Sequence, residues 1–337
     1  MAYSHRKAID WHWLRSLTIN NLNASGRFPV PVNVDGKMEW IESGLYHENY
    51  RFWIVGPGLQ KQWQDWSLLL RISTQKNPVR SKTEAAKYLL REAETLRILK
   101  QTDFHFETPE FICMVNSDSQ DPVGLIETWV WGICLEFYKH SIYREKIIPT
   151  IAETAAAVHR MSPEPFNHVP AFENSRAHIL DALEKISQQL FREYPAAQAA
   201  KEWILSRLPN RPSTVLHGDL LPQNIICGEY EGKWKVAVID WEFAEIGDPA
   251  YDLAIVTRGD RKLLGINNGL KLLVEAYREA GGIKLTGADV RIHELLLFLK
   301  WLWDSAERQR RGIHAGHGPD HYLQRLNSLL RRADKGI

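Results

Sequence analysis

The sequence predicts an α+β chain in two lobes, a small lobe of mixed sheet and helix over residues 1–130 and a larger, mainly helical lobe over 131–337. Three observations predict it. Between Met38 and Gly132 several short segments alternate apolar and polar residues, as strands with one buried face do. From Ile147 onward apolar residues recur at helical spacing of three and four. Within that helical stretch, residues 214–240 return to strand spacing around a loop that carries His217, Asp219 and Asn224, with Asp240 at the far end.

In the first lobe, Met38 to Glu42 and Tyr50 to Val55 read as two strands joined by the loop Ser43-Gly44-Leu45-Tyr46-His47-Glu48-Asn49. Trp66 to Ile72 reads as the next strand, with Arg71 the one charge in an apolar run. Ser81-x-x-Glu84 is a capping-box signature for a helix whose Ala85, Tyr88, Leu89, Leu96 and Leu99 form one apolar face. Glu92 falls on that face, three residues after Leu89. A carboxylate on a buried face is costly unless a cation or donor meets it, and Arg71 is the lone charge on the neighbouring strand, so an Arg71–Glu92 ion pair is expected. Pro122 to Gly132 reads as a strand that leaves the lobe.

In the second lobe, Ile148, Ile151, Ala155, Val158 and Met161 predict a helix, as do apolar positions in 176–191, 196–208, 266–280, 288–310 and 319–332. Gly281-Gly282 and Gly316 to Pro319 mark breaks. Thr214-Val215-Leu216 is a short strand that delivers His217-Gly218-Asp219 into a loop. A hairpin from Ile225 to Ile239, turning between Gly228 and Gly232, returns the chain to Asp240. One carboxylate to orient a hydroxyl, together with hard oxygen donors such as Asn224 and Asp240, suits magnesium-assisted phosphoryl transfer.

HGDLLPQN at 217–224, followed by IDWE at 239–242 and GDPAYDLA at 247–254, resembles the aminoglycoside phosphotransferase and choline kinase superfamily, whose fold is protein-kinase-like. The resemblance covers the chain from about residue 40 to about residue 310. It implies Asp219 as the catalytic carboxylate, Asn224 and Asp240 as magnesium ligands, and His217 and Asp252 as braces of the catalytic loop. It also implies ATP, or GTP, held between a nucleotide-clamping lobe that includes the hinge (1–130) and a catalytic and acceptor-binding lobe (131–337). Gly44 and Asn49 then lie at the ends of a phosphate-covering loop, and Arg71 with Glu92 forms the strand-to-helix pair with Arg in place of the usual Lys. The hinge contributes Glu127 and Trp129 through a carbonyl and an N–H, and Ile126 lines the pocket. Trp241-Glu242 after Asp240, where protein kinases have Phe-Gly, points to a small-molecule hydroxyl acceptor. A nucleotide-binding pseudokinase or interaction module without turnover is the alternative.

Composition narrows the remaining classes. Lys and Arg number 42 against 41 Asp and Glu, so no global field favours nucleic acid or an anionic membrane. Cys113, Cys134 and Cys227 lack metal-ligand or disulfide spacing, which points to a reducing compartment. The N-terminus has no secretory h-region and no apolar run reaches transmembrane length, so a cytoplasmic protein, monomer or dimer, is expected. Most of the 13 Trp are expected in cores or lobe interfaces. Glu242, Trp301, Trp303 and Asp304 are candidate acceptor contacts, since carboxylates and indole faces suit a cationic alcohol. The cluster His314, His317, Asp320 and His321 reads as a loop in solvent or touching substrate, with zinc a lesser option.

Overall fold

Asp10 opens the described chain by accepting hydrogen bonds from the backbone N–H groups of His12 (2.9 Å) and Trp13 (3.1 Å). That cap starts helix α1 (Trp11–Ala24), which sequence reading missed although Leu14, Leu17 and Leu22 already mark its buried face. The computed structural model describes residues 10–41, 47–73, 82–116, 122–260, 262–313 and 316–333. Two units follow from Cα proximity. One comprises Met1–Thr102, Glu107–Trp131 and Ile239–Phe243; the other comprises Asp103–Phe106, Gly132–Val238 and Ala244–Ile337.

The first unit is built on a five-stranded antiparallel sheet. Its strands are β1 (Asn33–Ile41), β2 (His47–Val55), β3 (Ser67–Ser73), β4 (Phe111–Asn116) and β5 (Pro122–Thr128), in the order β1-β2-β3-β5-β4. A short helix, α2 (Lys61–Asp65), precedes β3, and α3 (Lys82–Leu99) follows it. Strand alternation divides the sheet into two faces. Tyr50, Phe52, Ile54, Leu68, Leu70, Ile72 and Ile126 pack with Leu14, Leu17 and Leu22 in one apolar cluster. Arg71 and Glu127 point the other way, where α3 lays Leu89, Glu92 and Leu96 against the sheet. Each fully buried leucine contributes roughly 2 kcal/mol through loss of apolar surface to water. The sheet is therefore fixed from its α1 side, leaving the opposite face to carry charge.

The second unit begins with the short strand β6 (Ile133–Cys134) and α4 (Ile147–His159), followed by α5 (Ser175–Glu184), α6 (Gln188–Glu193) and α7 (Pro195–Leu205). The predicted helix over 176–191 is thus two helices, because the Ser187 hydroxyl caps α6 by accepting from Gln189 N–H at 3.2 Å. Strands β7 (Thr214–Leu216), β8 (Ile225–Tyr230), β9 (Lys233–Val238) and β10 (Glu245–Gly247) bracket the HGDLLPQN and IDWE motifs, with β8 and β9 forming the expected hairpin. Helices α8 (Ala250–Thr257), α9 (Gly269–Glu279), α10 (Gly287–Arg310) and α11 (Pro319–Ala333) complete it. A capping box starts α10: Thr286 Oγ1 accepts from Asp289 N–H, and the Asp289 carboxylate accepts from Thr286 N–H at 2.7 Å. Leu295, Leu299 and Leu302 of α10 pack among α5, α7 and α11 in one large core.

The tryptophans are less buried than composition suggested. Only Trp63, Trp203 and Trp241 are buried, while Trp11, Trp13, Trp40, Trp66 and Trp131 are exposed. Cation contacts hold three that are not buried: the Arg51 guanidinium lies 4.5, 4.9 and 4.1 Å from the ring centroids of Trp53, Trp129 and Trp131. An indole stacked on a guanidinium is stabilised without leaving the surface.

Candidate active site

Arg71 is the centre of a charge cluster in the first unit. The expected ion pair is present: Arg71 Nη1 donates to Glu92 Oε1, while Nη2 donates to Asp240 Oδ1 at 2.7 Å. Glu92 is fully buried on α3, at the position where helical spacing placed it. Four carboxylates, Glu92, Asp240, Glu127 and Glu242, act on this one guanidinium. Burial works against the Arg71 charge, but those carboxylates hold its pKa well above the ordinary value. Glu92 is pushed well above the usual carboxylate range by burial, against the pull of Arg71. Burial likewise lifts Glu127 to about 7, with Arg71 opposing and Asp240 adding to the rise. One guanidinium faces three buried carboxylates and the half-buried Asp240, and within that set burial favours the protonated forms of Glu92 and Glu127.

Residues 239–243 belong to this unit through a contact from each of four consecutive side chains or amides. Asp240 bonds Arg71, Trp241 N–H donates to Glu92 Oε1 at 3.2 Å, Glu242 Oε2 pairs with His47 Nε2 at 2.7 Å, and the Phe243 ring lies 5.2 Å from that of Tyr88. Asp240 itself takes a left-handed backbone, φ 68°. A non-glycine residue held there stores strain of about 1–3 kcal/mol, which persists where surrounding contacts over-determine it.

Several sequence expectations change here. Glu242 was a candidate acceptor contact, yet it is 2% exposed and engaged with His47, so it presents no charge to an incoming molecule. Trp129 N–H was expected to be offered by the hinge; it donates to Ser67 O at 2.9 Å, because β5 keeps pairing with β3 one residue past its end. Ile126 lies in the apolar cluster on the α1 side of the sheet, and strand alternation puts it on the face opposite Arg71 and Glu127. Glu127 brings its side chain to the Arg71 cluster. Asn49 pairs with Arg71 across β2 and β3 and is buried. Gly44 lies outside the described residues, as do Ser81 of the expected capping box and His314.

In the second unit the loop after β7 is built around Asp252. Gly218 takes φ 80°, which a side chain at Cβ would strain, and the chain turns there. His217 N–H and Gly218 N–H each donate to the Asp252 carboxylate at 2.9 Å. Asp219 N–H donates to His217 Nδ1 at 3.2 Å. Asn224 Nδ2 donates to Asp219 O at 2.8 Å and to Asp219 Oδ2 at 3.2 Å, which aims the Asp219 carboxylate. Asp252 also bonds His159 Nε2 at 3.2 Å, and His159 Nδ1 bonds the Tyr277 hydroxyl at 2.8 Å. Burial alone would raise the Asp252 pKa; the bonds and charges from His159 and His217 override it and hold it below the ordinary range. Asp248 is arranged similarly, with His293 at 3.0 Å and Arg211 at 3.6 Å keeping its pKa low against burial.

Sequence reading missed His47, His159 and Tyr277. His159 was findable, since it lies four residues after Ala155 on the apolar face of its helix. His47 shares strand parity with Asn49, but its partner is 195 residues away.

The remaining acceptor candidates are Trp301, Trp303 and Asp304. Both indoles pack against the large core of the second unit, although two residues apart, because α10 has neighbours on several sides. Arg258 lies 5.9 Å from the Trp301 ring and Arg310 lies 5.2 Å from that of Trp303. Burial raises the Asp304 pKa while Lys300 and Arg308 pull it down. His317 and His321 stack with ring centroids 3.9 Å apart, and no group of three potential metal ligands occurs among the described residues.

Comparison with known proteins agrees with this architecture. The GDP and kanamycin complex of APH(2")-IIia aligns with a TM-score of 0.60 over 90% of this chain and 94% of that one, at 16% identity, which shows a shared kinase-like fold. Acyl-CoA dehydrogenase family member 11 of Pongo abelii is 38% identical over 65 residues, 19% of this chain and only 8% of that protein. Viomycin phosphotransferase of Streptomyces vinaceus is 42% identical over 53 residues, 15% of this chain and 18% of that protein. The pattern of the phosphotransferase enzyme family matches residues 39–291, and the chain belongs to that family.

Proposed function

We propose that this enzyme transfers the terminal phosphoryl group of Mg-ATP, or Mg-GTP, to a hydroxyl of a small molecule such as an antibiotic, an amino alcohol or a related metabolite, in the cytoplasm. The observation that carries the reading is the Arg71 cluster: a buried guanidinium bonded to Glu92 and Asp240 within an excess of carboxylate. Such a site suits a phosphate chain accompanied by a divalent cation, which would relieve the surplus negative charge.

In this reading Asp240 and Asn224 hold magnesium, a hard cation that takes oxygen ligands and offsets charge on the nucleotide phosphates. Arg71, oriented by Glu92, binds phosphate oxygens through its planar fork. Asp219, aimed by Asn224, orients the acceptor hydroxyl and accepts its proton. Asp252 keeps the loop in shape by binding the amides of His217 and Gly218. The nucleotide complex of the structural neighbour supports nucleotide use. The test is calorimetry and thermal melting with Mg-ATP and Mg-GTP, followed by a phosphate-transfer screen over hydroxyl-bearing antibiotics and metabolites. A melting temperature that does not move at millimolar nucleotide and magnesium sinks the proposal, since a ligand at about 100 times its Kd adds roughly 2.7 kcal/mol.

A further inference from the structure

His47 begins β2 and pairs with Ser73, two residues beyond Arg71, so alternation puts its imidazole on the same face of the sheet as the Arg71 guanidinium. Its Nε2 bonds Glu242 Oε2 at 2.7 Å, with the two side chains 3% and 2% exposed. The other ring nitrogen, Nδ1, is buried and has no hydrogen-bond partner among the described residues. Arg71 Nε and Glu92 Oε2, in the same cluster, are in the same condition. Native structures rarely leave buried polar atoms unsatisfied, and where they do, a ligand, ion or water commonly completes them. Glu242 therefore fixes the ring, and Nδ1 is the hydrogen-bonding position it has left; in the imidazolium both nitrogens donate.

We propose that His47 is a phosphate-binding residue: with Nε2 held by Glu242, Nδ1–H donates to an oxygen of the nucleotide polyphosphate. This rests on the phosphotransferase reading above. The position along the strands favours the outer phosphates. The end of β5 meets the start of β3 at Trp129 and Ser67, Arg71 lies midway along β3, and His47 with Ser73 lies at the opposite end. On the phosphotransferase reading, with the phosphates at Arg71 and the rest of the nucleotide toward the end of β5, the terminal groups come to His47. The carboxylate behind the ring plays the part that outer carboxylates play behind metal-binding histidines, fixing its orientation.

Calorimetry of the full chain with magnesium, comparing ATP, ADP and AMP, tests it. His47→Leu should weaken ATP about tenfold and leave AMP within about twofold, and Glu242→Gln should weaken ATP in the same selective way. Should His47→Leu fail to fold, His47→Gln, which keeps a polar contact to Glu242 but has no ring nitrogen, gives the same readout. Equal losses for ATP and AMP would mean that the pair only supports the fold, and unchanged ATP affinity would mean that no phosphate contact exists; either overturns the proposal. If the wild-type chain binds none of the three nucleotides, the phosphotransferase reading fails and this one with it, an outcome distinct from selective or unselective loss in the variants.

Discussion

The Arg71 cluster and the Asp252 network are both buried and charged, yet burial ends differently in each. Around Asp252 every oxygen meets a donor, from two backbone amides and from His159, and the carboxyl stays below its ordinary pKa despite desolvation. Around Arg71 the carboxylates outnumber the cation, Glu92 and Glu127 are pushed up, and buried atoms of His47, Arg71 and Glu92 have no hydrogen-bond partner among the described residues. On the proposed function, the satisfied network is scaffold and the unsatisfied one receives the nucleotide phosphates.

The sharpest way to break that comparison is to neutralise one residue from each unit. Asp219→Asn should lower turnover by about 10³-fold or more while nucleotide affinity stays within about twofold. Asp240→Asn should weaken magnesium-nucleotide binding as well as turnover. Equal calorimetric losses of nucleotide affinity in the two variants would remove the assigned roles.

Stability should show the next largest contrast. Asp252→Ala strands two loop amides and a histidine, so a destabilisation of about 3–5 kcal/mol is expected in denaturant melts. Glu92→Gln keeps an acceptor oxygen for Arg71 and for Trp241 N–H and should cost less than Asp252→Ala. A Glu92→Gln variant as damaged as Asp252→Ala would show that both networks are scaffold.

Acidity tests the same distinction with opposite signs. Asp248 and Asp252 have depressed folded-state pKa values, so their contribution is present above about pH 4 and is lost as pH falls further. Glu127 is raised from 4.5 to about 7, so its contribution is present below pH 4.5 and is lost as pH rises toward 7, by about 1.4 kcal/mol per pH unit at most. Glu127→Gln should flatten that second slope in pH-dependent melts and leave the acid limb alone. The smallest effect is expected at Asp304, which faces Lys300 and Arg308: Asp304→Ala should change the acceptor KM by no more than about twofold. A large rise would support Asp304 as the acceptor contact that the sequence reading proposes.

The motifs around Asp219 and Asp240, the strand carrying Arg71 and the buried phase of Glu92 were legible because each follows from a local period or a short turn. What sequence could not supply is contact over long separations. Glu242 read as a free carboxylate because His47 lies 195 residues earlier. Ile126 and Trp129 were misplaced for a different reason: pattern marks a strand but does not say which face meets a helix or where pairing stops. The α1 helix was missed although Asp10 and the leucines after it carry a cap and a spacing.

The short segment Ile239–Phe243 has a consequence for recombination between homologues. By covalent connection it lies in the middle of the second unit, but by contact it belongs with Arg71, Glu92, His47 and Tyr88. A chimera joined cleanly at residue 131 would graft one parent's Asp240, Trp241, Glu242 and Phe243 onto the other parent's receiving side chains. Functional crossovers should therefore carry residues 239–243 along with the N-terminal parent, and substitutions at His47 and Glu242 should travel as a linked pair through the lineage.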